Sequence, residues 1–181
     1  VQYVLNRKPT SVLEIGAARG YVGKKFEDSG LKYKGLEISN HCFLTRVSEN
    51  VVRHDTCLGN WPAADKEFDL CFSIAVMEHI PESYLPIVIG EMARTCERGL
   101  MGIDLGANDD GFDRTHVTLR PREWWYNKFE ELAPSWPVEV VDKEELEAVQ
   151  PGGYPKSVLE GDGKVKVNVA SFTTMMPHGW I

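Results

Sequence analysis

The sequence predicts an α/β fold: a Rossmann-like three-layer sandwich with a mostly parallel seven-stranded sheet whose last strand runs antiparallel. Three observations predict it. Short apolar runs alternate with amphipathic segments along most of the 181 residues, the pattern of βαβ units whose crossovers cover both faces of a parallel sheet. The first apolar run, residues 11–15, leads into a turn carrying Gly16 and Gly20. Residues 68–74 are nearly all apolar, as a central strand buried on both faces requires.

The elements follow in order. Residues 11–15 read as the first strand and 21–28 as a helix ended by Ser29 and Gly30. Residues 33–38 form the second strand, and Asn40 caps a helix reaching about residue 49. A short third strand spans 51–54, and the fourth spans 68–74. An amphipathic helix runs over 81–96, and the fifth strand over 99–105. Residues 106–120 form a long polar loop, and Pro121 opens a helix that reaches residue 132. The sixth strand covers 138–141, Pro151-Gly152-Gly153 breaks the chain, and alternation over 164–173 gives the antiparallel last strand. One domain over residues 1–181 fits this length, with a segment upstream of Val1 expected to be missing.

Composition narrows the function. With a net charge of -7 and no long basic run, the chain lacks the clustered Lys and Arg that nucleic-acid backbones demand. No apolar stretch approaches the length of a membrane span. Cys42, Cys57, Cys71 and Cys96 form no zinc or redox spacing, and a reducing, cytoplasmic setting is expected. Asn108, Asp109, Asp110 and Asp113 lack the spacing of a calcium loop and read as a solvated loop. No metal site is expected.

The candidate ligand site lies at the strand ends. Gly16 allows a sharp turn after the first strand, and Gly20 lets the backbone pass close to a ligand. Glu37 ends the second strand about 20 residues on, where a carboxylate can accept ribose hydroxyl protons. The loop reads G-x-x-x-G rather than G-x-G-x-x-G, with Glu14 two residues ahead. A carboxylate there repels a pyrophosphate and favours a nucleoside bearing positive charge, such as S-adenosylmethionine.

The order of these motifs resembles class I S-adenosylmethionine-dependent methyltransferases, in particular their type-11 and type-12-like, small-substrate branch. Glu14-Ile15-Gly16-Ala17-Ala18-Arg19-Gly20 is similar to the family's first motif, with Ala18 in place of the middle glycine. Gly35-Leu36-Glu37-Ile38 matches the ribose-binding acid, and His54-Asp55-Thr56 the adenine end of the third strand. Phe68-Asp69-Leu70 followed by Ser73-Ile74-Ala75-Val76-Met77-Glu78-His79-Ile80-Pro81 is the most specific match. The resemblance implies that the cofactor is S-adenosyl-L-methionine. It implies contacts from Glu14, Gly16, Ala18, Gly20, Glu37, Ile38, Asp55, Thr56 and Ser73. It also places the loop before Leu119-Arg120-Pro121 over the acceptor pocket.

A base helps when the acceptor is a hydroxyl, and histidine suits that task near neutral pH. His116 is expected as the base and His79 as a pocket residue. Trp124 and Trp125 read as core packing. The acceptor is expected to be a small molecule or sugar-like group methylated on oxygen or nitrogen. Two other classes stay open: an NAD(P)-dependent oxidoreductase, and a non-catalytic protein that binds an adenosyl ligand.

Overall fold

The computed structural model describes residues 1–106 and 113–142. Among them six strands form one sheet: β1 (Ser11–Ile15), β2 (Lys32–Glu37), β3 (Val51–Arg53), β4 (Phe68–Ile74), β5 (Cys96–Ile103) and β6 (Val138–Asp142). The spatial order is β3-β2-β1-β4-β5-β6, and every pairing is parallel. The helices are α1 (Gln2–Leu5), α2 (Tyr21–Asp28), α3 (Asn40–Leu44), α4 (Leu85–Thr95) and α5 (Arg122–Leu132). The antiparallel strand expected at 164–173 lies outside the described residues.

Strand alternation splits the core into two layers. In β1, Leu13 and Ile15 join Val88, Ile89 and Met92 of α4 and Trp125 and Phe129 of α5 on one face. Val12 joins Phe26 of α2, Tyr33 and Phe72 on the other. Successive side chains of a strand point to opposite faces, so a strand covered on both sides must be apolar at nearly every position. β1 is buried throughout. Trp125, fully buried, takes the core role expected of it, while Trp124 is half-buried. Cys71 and Cys96 are buried free thiols.

Several boundaries differ from the sequence expectation, each for a local reason. The cap of α3 is Ser39 rather than Asn40, its Oγ accepting from Cys42 N–H at 3.3 Å. That helix stops at Leu44 because the chain turns to bond the glycine loop. Arg19 Nε donates to Thr45 O at 3.0 Å, and Val47 N–H donates to Arg19 O at 2.8 Å. The segment after Pro81 is first a 3₁₀ turn, Glu82–Tyr84, and α4 starts at Leu85 with a proline in its first turn. β5 follows α4 without a loop, from Cys96. The short α1 has no signal in the hydrophobic pattern. Its Val4 is buried, and Tyr3 Oη and Arg7 Nε each donate to Glu139 of β6 at 2.7 Å.

Candidate active site

Parallel register brings the carboxyl ends of the strands to one edge. Ile15 of β1 pairs with Leu36 of β2 and Ser73 of β4, and Ile74 of β4 pairs with Gly102 of β5. The strand order reverses between β1 and β4, and ligands of open α/β sheets lie outside the strand ends at such a switch point.

The glycine loop is built by backbone hydrogen bonds. Gly16 and Ala17 both donate to Leu36 O, at 2.9 and 3.0 Å, and Gly20 donates to Ala17 O at 2.8 Å. Gly16 has φ +69, and a Cβ there would stand 2.4 Å from Val76 Cγ2. Gly20 has φ +77 and caps α2. The loop therefore keeps its backbone close to the β4 exit, where a side chain would fill the crevice.

Glu37 is aimed by this loop. One carboxylate oxygen accepts from Ala18 N–H at 2.7 Å and the other from Ser39 N–H at 2.6 Å. Each oxygen has a second acceptor site to offer, so the arrangement suits a vicinal diol. Ile38 beside it is exposed at 45%, an apolar surface next to this carboxylate. Across β3, Asp55 Oδ1 accepts from Cys57 N–H at 2.9 Å and caps a 3₁₀ turn, Thr56–Leu58. Trp61 Nε1 donates to Thr56 O at 3.0 Å and braces that turn. Ser73 is fully buried, and its Oγ has no hydrogen-bond partner among the described residues. A buried hydroxyl without a partner calls for a water, an ion or a polar ligand there. The cradle, the diol acceptor and this hydroxyl together fit an adenosyl cofactor.

Glu14 alters the electrostatic argument made from the sequence. It is 3% exposed and accepts from Tyr33 Oη at 2.6 Å. Burial pushes its carboxyl up to about 8, against the smaller lowering effect of the Tyr33 hydrogen bond. Desolvation, then the Glu14 charge, raises the Tyr33 phenol, so it stays a donor. Burial therefore favours the neutral form of Glu14, and a cation placed beside it would favour the charged form.

Beyond β4 stand His79 and His116, whose partners no sequence spacing reveals. Ala75 takes φ +53 as the chain leaves the strand, a conformation costly for a residue with a Cβ. Glu78 is fully buried, and its backbone oxygen accepts from both Val117 and Thr118 N–H at 3.0 Å. Thr118 Oγ1 donates to Ile80 O at 2.7 Å. These bonds pin the chain that leads into α5 onto the turn after β4. The His79 and His116 rings consequently meet edge to face, 4.6 Å between centroids. His116 lies between two carboxylates, with Nδ1 3.9 Å from Asp104 and Nε2 3.6 Å from Asp113. Asp113 is drawn into this cluster rather than standing in solvent alone. No local spacing signals the grouping, because β5 and the polar loop separate its members in the chain.

The chain matches the family described as "Methyltransferase domain" over residues 1–147 and belongs to it. S-adenosylmethionine is the cofactor expected of that family. A comparison with curated proteins finds no match. Among solved structures, an S-adenosylmethionine-dependent methyltransferase of Archaeoglobus fulgidus is similar, with TM-score 0.60 and 19% identity over 73% of this chain and 64% of its own. A candidate S-adenosylmethionine-dependent methyltransferase of Methanococcus maripaludis gives 0.56 and 16%, covering 73% of this chain and 74% of its own. A TehB-like methyltransferase of Corynebacterium glutamicum gives 0.53 and 17%, covering 68% and 64%. At such identities the likeness establishes the fold. Among the described residues no helix is long and apolar enough to cross a membrane.

Proposed function

We propose that this protein transfers the methyl group of S-adenosylmethionine to an oxygen or nitrogen of a small-molecule or sugar-like acceptor. The observation that carries the reading is the glycine loop at the switch point with Glu37 held by Ala18 and Ser39 N–H. The cofactor supplies an activated methyl on a sulfonium. The chain binds it through Gly16, Ala18, Gly20, Glu37, Ile38, Asp55, Thr56 and Ser73, with Glu14 as the buried acid beneath the loop. Held by these residues, the sulfonium would offer its methyl carbon to an acceptor lone pair, with the electron pair of the broken C–S bond remaining on sulfur. His116 receives the proton of a hydroxyl acceptor, and His79 shapes the pocket. Positioning supplies most of the acceleration, up to about 7–11 kcal/mol in favourable cases.

Acidity of the chain favours a small acceptor over nucleic acid, and its free thiols favour a cytoplasmic setting. Family membership removes the ground for an NAD(P) oxidoreductase. Calorimetry with S-adenosylmethionine, followed by a methyl-release screen over hydroxyl, amine and carboxyl compounds, tests the reading. His116→Ala is expected to lower kcat about 10²–10⁴-fold with a hydroxyl acceptor and to leave cofactor affinity intact. Tight NADH binding without S-adenosylmethionine binding refutes the reading. Cofactor binding with no turnover on any acceptor class points to a binding protein instead.

A further inference from the structure

We propose that Glu78, His79 and His116 bind one first-row divalent transition cation at the acceptor end of the crevice, leaving coordination positions for an acceptor oxygen or nitrogen. The proposal rests on the functional reading only for where the acceptor sits. One ligand atom from each of the three side chains lies within 4.8 Å of the others. Donors around such an ion, each about 2.0–2.2 Å from it, stand roughly 3–3.5 Å apart, so small side-chain rotations close the site. Two imidazoles and one carboxylate with open positions are the donor set of iron, cobalt, nickel and zinc centres. Magnesium and calcium prefer oxygen ligands throughout.

The surroundings are built in the way ligand-holding shells are. His79 Nδ1 lies 3.2 Å from the backbone oxygen of Thr115, which can only accept, so Nδ1 carries the proton. The Thr115 hydroxyl agrees, since its own proton goes to Asp113 Oδ1 at 2.6 Å and it accepts from Nδ1 at 2.9 Å. In the neutral ring this makes Nε2 the lone-pair nitrogen, the one a metal takes. His116 has Asp104 near Nδ1 and Asp113 near Nε2. At 3.9 and 3.6 Å these carboxylates act on the ring through their charge rather than through hydrogen bonds. Backbone bonds from Val117 and Thr118 to Glu78 already hold the two segments together. The fully buried Glu78 gains from a dication that offsets its desolvation, and the Asp104 and Asp113 carboxylates near the imidazoles add favourable charge.

With the cation bound, His116 is a ligand and no longer the base. A coordinated acceptor hydroxyl then loses its proton to solvent at lower pH, because the ion stabilises the oxyanion. Without the cation, the free imidazole carries that step.

The test is titration of the untagged, chelator-stripped chain with Co²⁺, read by visible d–d absorption. Saturation at one equivalent is expected, with displacement by Zn²⁺ and none by Mg²⁺. Glu78→Gln and His79→Gln are each expected to weaken Co²⁺ binding at least tenfold. Proton NMR of the Co²⁺-loaded wild type needs no variant and should show two hyperfine-shifted imidazole N–H signals. Absence of a saturable spectrum, absence of those signals, or unchanged affinity in both variants overturns the proposal. S-adenosylmethionine calorimetry on stripped and loaded protein separates the two readings. Cofactor binding without Co²⁺ binding sinks only the cation site, and Co²⁺ binding without cofactor binding sinks only the methyltransferase reading.

Discussion

Replacing Glu14 by Gln should flatten the dependence of stability on pH between pH 5 and 9. The acid lies in the α2-side layer, 3% exposed, with Tyr33 Oη donating to it at 2.6 Å. Its folded value of about 8 stands against an ordinary 4.5, and desolvation is the main cause. A carboxyl with a raised folded value is bound to its proton more tightly in the native state. Its stabilising effect is whole below about 4.5 and is lost as pH climbs through about 8. Across that window the gap corresponds to up to about 5 kcal/mol, with about 3 kcal/mol already gone at pH 7. Gln keeps the shape and the acceptor for Tyr33 but does not titrate. Urea unfolding at one-unit steps from pH 5 to 9, extrapolated linearly, measures the difference. Among the other carboxyls held by partners, Asp69, Glu67, Glu91, Asp113 and Glu139 have lowered values and titrate at more acid pH. If the wild type and Glu14→Gln show the same pH slope, Glu14 does not hold its proton in the folded chain and the argument fails.

Three further expectations follow from the same geometry. Cofactor binding at pH 7 should release a proton from Glu14, seen as buffer-dependent calorimetric enthalpy that disappears in Glu14→Gln; equal enthalpies in all buffers would show that no charge appears there. Gly16→Ala places a Cβ 2.4 Å from Val76 at φ +69, so denaturant unfolding should report a loss of about 1–3 kcal/mol for backbone strain, and a neutral result would mean that Val76 moves aside freely. Glu37→Ala should weaken S-adenosylmethionine by about 1.5–3 kcal/mol, the range for hydrogen bonds to a charged group, and unchanged affinity would remove its diol role.

Much of the sheet was legible in the chain. Where a strand is covered on both faces, as β1 and β4 are, burial forces an unbroken apolar run that needs no knowledge of its partners. The glycine loop and Glu37 were legible for a similar reason: a tight turn between a strand and a helix is local. Boundaries were less legible, because Ser39, Arg19 and Thr45 settle the extent of α3 through hydrogen bonds made after the sheet has formed. The four-residue α1 has no amphipathic period to read and is held by Glu139, far along the chain.

The sequence by itself determined the α/β alternation and the mostly parallel sheet, and it placed a glycine loop at the end of β1. It also named His79 and His116 singly. Only the tertiary structure decided that Glu14 is buried and its carboxyl pushed up, since desolvation depends on what α2 and Tyr33 pack over it. Only the tertiary structure joined Glu78, His79, Thr115 and His116, because backbone bonds from Val117 and Thr118 carry one side of that cluster onto the other. Periodicity and turn chemistry act within a few residues and so are written in order along the chain. Charge, burial and ligand geometry depend on neighbours in space, and those exist only once the strands are in register.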